Sequence, residues 1–294
     1  MLRFLASRLR ARIGLAPSAA VPRRSNLVTL GVAVFAAMFG IVVGLHAKRY
    51  WGDPPGSAAT PLQRQALFEM LQPVALTNCR LERFGEAYDG GYLMCGNLLG
   101  DIQAGYSYGI SGYDQWGCDI STARQVTVHE YDCFDTRPPA CPGGKLVFHA
   151  ECVGDTRKTE EGRPFDTITN QLAKNGDSSK RIALKIDVEG AEWDSLLSSP
   201  EEVLAQIDQI AVEFHGIEDE KSLALVRRLK QSFEVAHIHF NNASCTSGTE
   251  PFPSWAYEVL FVSKRLAVLD SSRQAGGRHP LDSPNVPLML DCQP

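Results

Sequence analysis

The chain has 294 residues, room for one ordinary domain with appendages or for two small ones. With 44% hydrophobic and 21% charged residues it has the apolar material for a packed core, and a formal net charge of −5 argues against a nucleic-acid partner. That average hides an asymmetry: Arg3, Arg8, Arg10, Arg12, Arg23 and Arg24 all precede Asp53, the first acidic residue.

Residues 1–26 therefore form a basic tail. Leu27 to Leu45 follows as an uncharged apolar run close to the ~20 residues a helix needs to cross a bilayer. It is too long for the core of a signal peptide, and no small-residue cleavage site follows before Lys48 and Arg49. Residues 27–46 read as a signal anchor, and the excess of arginine ahead of it keeps the N-terminus cytosolic. The reading is a single-pass type II protein of the endoplasmic reticulum or Golgi. An arginine-rich, acid-free start is also how an organelle transit peptide looks, so a mitochondrial or other organelle inner membrane is the alternative.

All 8 cysteines lie beyond the apolar run, an even number that fits disulfides in an oxidising lumen. None of their spacings suits a zinc site. Residues 47–75 make a stem, with Gly52 to Pro61 as linker and Leu62 to Leu71 as a helix ended by Pro73. The main domain spans 76–268, and 269–294 is an irregular tail tied down by Cys292.

In Leu81 to Leu93 the run Asp89-Gly-Gly-Tyr92 signals a hairpin turn, since glycine supplies positive φ. Strand patterns then follow at 104–110, 125–132, 145–150, 181–186, 207–214, 235–240 and 257–262, with helical patterns at 167–172, 191–197 and 223–229. This alternation predicts an α/β fold, a Rossmann-like sheet of about seven mostly parallel strands. The first strand runs into a loop bearing Gly109 and Gly112, a G-x-x-G spacing rather than the G-x-G-x-x-G of dinucleotide enzymes, which disfavours an oxidoreductase. The second strand ends in Asp132. An acid at that tip accepts hydrogen bonds from ribose hydroxyls in Rossmann-like folds, with Glu130 and Asp135 as neighbouring choices. Its bland alternative is a carboxylate solvating a strand end. Asn242-Ala-Ser244 is a glycosylation sequon.

The fourth strand ends in Lys185-Ile-Asp-Val-Glu-Gly-Ala-Glu192, which puts Asp187 and Glu189 at the carboxyl edge of a buried strand, where open α/β sheets bind ligands. This stretch resembles the FkbM family signature K-[IL]-D-[VI]-E-G-x-E. Asp89 to Tyr92, Tyr106 to Ile110 and Glu213 to His215 resemble the D-G-G-Y, Y-S-x-G-I and E-x-H segments of the membrane-anchored, methyltransferase-like branch of that superfamily. The likeness covers residues 79 to 265.

The resemblance implies a class I methyltransferase sheet and S-adenosylmethionine as cofactor. It implies that Gly109, Gly112, Asp132 and Asp187 line the cofactor, that Asp155 meets the adenine amine with Val153 on the ring, and that Asp89 and Tyr92 cover it. The expected reaction is O-methylation of a hydroxyl on a glycan or small molecule. His215 is the expected base, with Glu213 or Asp187 beside it, because a histidine titrating near neutrality suits that task. A set of Asp187, Glu213, His215 and His239 holding a divalent cation is an alternative. The rival function is a catalytically silent Rossmann-like domain that binds a partner.

Overall fold

The structure is a computed structural model, and it describes residues 59–217, 219–273 and 276–292. Among them no helix is long and apolar enough to cross a membrane. The anchor expected at 27–46 and most of the stem lie outside the described residues.

The described chain begins with helix α1 (Pro61–Met70), capped by Thr60. A hairpin of β1 (Leu81–Gly85) and β2 (Gly91–Cys95) follows, turning through the Asp89 segment as its glycines predict. The main elements are then β3 (Ala104–Tyr108), α2 (Gln115–Arg124), β4 (Thr127–Tyr131) and β5 (Lys145–His149). Three short strands come next, β6 (Cys152–Val153), β7 (Lys158–Glu160) and β8 (Arg163–Asp166), leading to α3 (Ile168–Lys174) and β9 (Ile182–Ile186). The chain continues through α4 (Glu192–Ser198), α5 (Glu201–Gln206), β10 (Ile207–His215), α6 (Asp219–Ser232), β11 (Phe233–Phe240) and β12 (Ala256–Ser263).

The 7-stranded sheet has the order β11-β12-β10-β9-β3-β4-β5. β3, β4, β5, β9 and β10 pair in parallel, and β12 lies antiparallel between β10 and β11. From β3 the chain builds outward through β4 and β5, then returns to place β9 on the other side. The reversal of order falls between β3 and β9, and the crevice outside their carboxyl ends is the ligand edge of such a sheet.

Strand side chains alternate between two faces. One face, with Tyr106, Leu184, Val212 and Phe261, packs against residues of α1, α3, α4, α5 and α6, including Leu67, Leu172, Trp193, Leu204 and Leu229. Trp193 stacks on Phe214 at 4.1 Å between ring centroids, and burial of each such side chain contributes about 2–3 kcal/mol. The opposite face, with Val128, Ala183, Ala211 and Leu260, is covered by Phe84, Tyr92 and Met94 of the hairpin and by Trp116 and Ile120 of α2. The hairpin is thus a lid of side chains over the sheet.

Several expectations shift. The packed unit begins before residue 76, since Ala59, Leu67 and Leu71 are core residues. The small sheet β6-β8-β7 and α5 carry no sequence periodicity long enough to read. The tail is irregular as predicted but not loose, because Asn285 is buried.

Candidate functional site

The carboxyl ends of β3, β4, β9 and β10 bring Gly109, Asp132, Asp187 and His215 to one rim. Gly109 sits at φ +75° with its Cα against the Asp187 carbonyl oxygen, so any Cβ there would overlap it. Only glycine allows the first-strand loop to touch the fourth strand this closely. Asp187 Oδ2 accepts a 2.8 Å hydrogen bond from the Tyr92 hydroxyl, and Lys185 Nζ lies 3.6 Å from the same oxygen. Lys185 is itself buried and donates to the Gly109 carbonyl at 2.6 Å. The hairpin, the glycine loop and the Lys185-to-Glu192 stretch are therefore tied together by one carboxylate and one ammonium.

Glu213 and His215 lie two residues apart on β10 and share a face. Ligand atoms of Asp187, Glu213 and His215 all fall within 4.8 Å of one another. His215 Nε2 stands 3.9 Å from Asp187 Oδ1 and 3.6 Å from Glu189 Oε2. Its Nδ1 faces Glu192 Oε1 at 3.4 Å. Glu192 is wholly buried and locked by the backbone amides of His215, at 2.6 Å, and Gly190, at 2.9 Å. The amide partner of Glu192 lies 23 residues on, so no local pattern in the sequence signals the contact.

These surroundings change the expected role of His215. Burial opposes its charge, but Glu192, Glu213 and Asp187 outweigh burial and raise its pKa to about 10. At neutral pH the ring holds its proton and acts as a cation, so it is not the neutral base that its residue type suggests. Glu213 moves far above the usual carboxylate range through burial and the repulsion of Asp187. Asn241 Nδ2 donates to Glu213 Oε1 at 2.7 Å. Asp89 is raised too, by burial, while Asn285 bridges it to Glu258 with bonds of 2.9 Å to each.

His239 stands outside this group. Glu258 pairs across the sheet with Glu213 on one side and His239 on the other, and His239 Nδ1 faces Glu258 Oε2 at 3.4 Å. His239 also lines a cavity of about 310 Å³ with Phe68, Ile238, Phe240, Pro251 and Asp282.

Asp132 reaches the rim but is committed. Oδ2 accepts from the amides of Ile110 (3.1 Å) and Ser111 (2.8 Å), and Oδ1 from those of Phe134 (2.8 Å) and Asp135 (2.9 Å). Four acceptor sites are filled by the chain's own backbone, leaving none for a ribose. The positive φ of Gly109, Ser111 and Gly112 curls the loop into an anion-binding nest, and Asp132 is its anion. Asp135, beside Gly112, is partly exposed and has both oxygens paired with Arg137. Asp155 is exposed and accepts only from Thr156, while Val153 is buried in the core and has no ring-facing surface.

Beneath the glycine loop, Ser107, Asp114 and Glu130 make a second polar cluster. Ser107 Oγ, Asp114 Oδ2 and both Glu130 oxygens find no hydrogen-bond donor among the described residues. Two bare carboxylates cannot satisfy each other. Burial, with Asp114 adding to it, raises the Glu130 pKa to about 9, so the pair shares a proton at neutrality.

All eight cysteines are paired, as Cys79–Cys95, Cys118–Cys141, Cys133–Cys152 and Cys245–Cys292. Four disulfides belong to an oxidising environment. The sequon is closed: Asn242 is fully buried, and its Nδ2 donates to the carbonyls of Val286 and Met289, both at 3.0 Å. No protein-family model matches the chain, and comparison with curated proteins gives no match.

Proposed function

We propose that the protein is an S-adenosylmethionine-dependent O-methyltransferase, held by an N-terminal anchor with its catalytic domain in the oxidising lumen of the endoplasmic reticulum or Golgi. The observation that carries this reading is the strand order, with one antiparallel strand between β10 and β11 and an acid-rich rim at the reversal between β3 and β9. Class I methyltransferases share that arrangement, and fold alone leaves the acceptor open.

The rim suits a cationic donor. Asp89, Asp187, Glu189, Glu192 and Glu258 outnumber Lys185, His215 and His239 along this rim, a negative excess that complements a sulfonium. Bound there, the cofactor supplies an electrophilic methyl whose transfer to a hydroxyl oxygen returns the S–C electron pair to sulfur. The chain's task is alignment and removal of the hydroxyl proton. Asp187 or Glu189 receives that proton, with His215 as a fixed cation beside them. Tyr92 and Lys185 hold Asp187 in place. The acceptor is a glycan or small molecule bearing the hydroxyl.

The full commitment of Asp132 to backbone amides favours a second reading, a silent domain that binds a partner without cofactor. Isothermal titration of the full chain, disulfides intact, with S-adenosylmethionine separates the two. One molecule bound per chain supports the transferase, and no heat of binding removes it.

A further inference from the structure

We infer that Asp187, Glu213 and His215 form a binding site for one divalent cation, of the Mg²⁺ or Mn²⁺ class. The site rests on the geometry of these side chains; its role in activating the acceptor hydroxyl rests on the methyl-transfer reading above.

Each of the three residues is held from behind and left open toward a common centre. Asp187 gives Oδ2 to the Tyr92 hydroxyl at 2.8 Å and turns Oδ1 toward His215. Glu213 is 3% exposed, and its Oε1 takes the Asn241 amide, while Oε2 accepts no hydrogen bond among the described residues. His215 is 5% exposed and has the fully buried Glu192 behind Nδ1. Its Nε2 makes no hydrogen bond, the nearest carboxylate oxygens being 3.6 and 3.9 Å away. The Glu192 contact lies behind the ring without a hydrogen bond to Nδ1, and an ion taking Nε2 would displace the proton that the ring otherwise holds.

The spacing fits. Ligand atoms at ~2.1 Å from an ion stand up to about 4.2 Å apart, so the observed limit of 4.8 Å closes by small rotations of Asp187 and Glu213. The donor set is two carboxylates and one imidazole, with every cysteine tied in a disulfide, and such oxygen-rich sites select hard cations over thiolate-bound zinc. Asp89 and Glu258, bridged by Asn285, add negative charge beside the three ligands. A cation held here would lower the pKa of a hydroxyl that joins its coordination, and Glu189, exposed and outside the three ligands, would accept the proton.

The test uses the full chain in detergent, stripped of metal and titrated with Mn²⁺ while the electron paramagnetic resonance of the free ion is followed. One Mn²⁺ per chain is expected. Asp187→Asn and Glu213→Gln each weaken it at least about tenfold, and Asn241→Ala, which touches no ion, weakens it about tenfold through Glu213. Asp194→Asn, an equal charge loss on the exposed side of α4, leaves affinity within about twofold. Retention of all four disulfides certifies the fold of each variant, and the partly exposed Asp187 serves should Glu213→Gln fail that check. Absence of saturable Mn²⁺ binding overturns the site, as does equal weakening by Asp194→Asn. Calorimetry with S-adenosylmethionine in the presence of a chelator keeps the two readings apart. Donor binding without Mn²⁺ binding removes the cation site alone, and Mn²⁺ binding without donor binding upholds the site and removes the methyl-transfer reading.

Discussion

Asp132 and Asp187 close the second and fourth strands of one sheet, lie on the same rim, and have opposite lives. Asp132 spends its whole acceptor capacity on four backbone amides and so fixes the shape of the glycine loop. Asp187 accepts one hydroxyl bond and keeps its other oxygen toward His215 in an open cluster. The difference does not lie in residue type or strand position. It lies in whether neighbouring backbone amides curl toward the carboxylate, which the positive φ values at Gly109, Ser111 and Gly112 decide for Asp132.

Substitution at the two positions should therefore fail differently. Asp187→Ala is expected to lower methyl transfer by at least about a hundredfold, the range of a positioned proton acceptor, while thermal unfolding shifts little. Turnover within a few-fold of the parent would end the claim that Asp187 faces the reaction. Asp132→Ala leaves four amides without their acceptor, that of Ile110 buried, and should cost about 3 kcal/mol, a fall of roughly 6–12 °C in Tm for a domain of this size. A Tm unchanged within 2 °C, together with a loss of donor affinity, would instead restore Asp132 to the ribose and break the contrast.

The sheet was legible because apolar, β-branched runs at regular intervals leave few other folds, and all seven strand patterns correspond to its strands. The rim was legible too, since an acid after an apolar run falls at a strand end. What each acid does there was not. Glu192 has no readable role in the sequence because its partner is the backbone amide of His215, and His215 looks like a neutral base because two of the three carboxylates that raise its pKa, Glu192 and Asp187, lie far from it along the chain. Val153 was assigned to a ligand surface that the small sheet buries, and its strands of two to four residues fall below any readable period. Hydrogen-bond commitment is a tertiary property, and short-range pattern does not encode it.

The buried pair Glu130–Asp114 extends the comparison to pH. A glutamate with an ordinary pKa of 4.5 unfolded and about 9 folded holds its proton more tightly in the native state. Its contribution is complete below pH 4.5 and is lost as pH rises toward 9. His215, with 6.5 and about 10, contributes fully below pH 6.5 and loses that contribution between 6.5 and 10. Between pH 5 and 6.5 only the carboxyl pair is titrating of these two. Glu130→Gln should therefore flatten the decline of Tm with pH in that window by a few degrees, at roughly 2–4 °C per kcal/mol. Parallel Tm curves for parent and variant would mean that Glu130 is ionised in the fold.

The smallest effect concerns Asn242, the amide counterpart of Asp132. Its Nδ2 hydrogens are both donated, to the carbonyls of Val286 and Met289, and its Oδ1 accepts the Val286 amide at 2.9 Å. Glycan transfer needs that nitrogen exposed, and here it anchors the segment that carries Asn285 over Asp89 and Glu258. Protein secreted through an oxidising lumen should show no change of mass at Asn242 on enzymatic removal of N-linked glycans, despite a complete sequon. A glycan found there would mean that the 285–292 segment docks after modification or not at all, and the cluster of Asp89, Glu213 and Glu258 would then stand open to solvent.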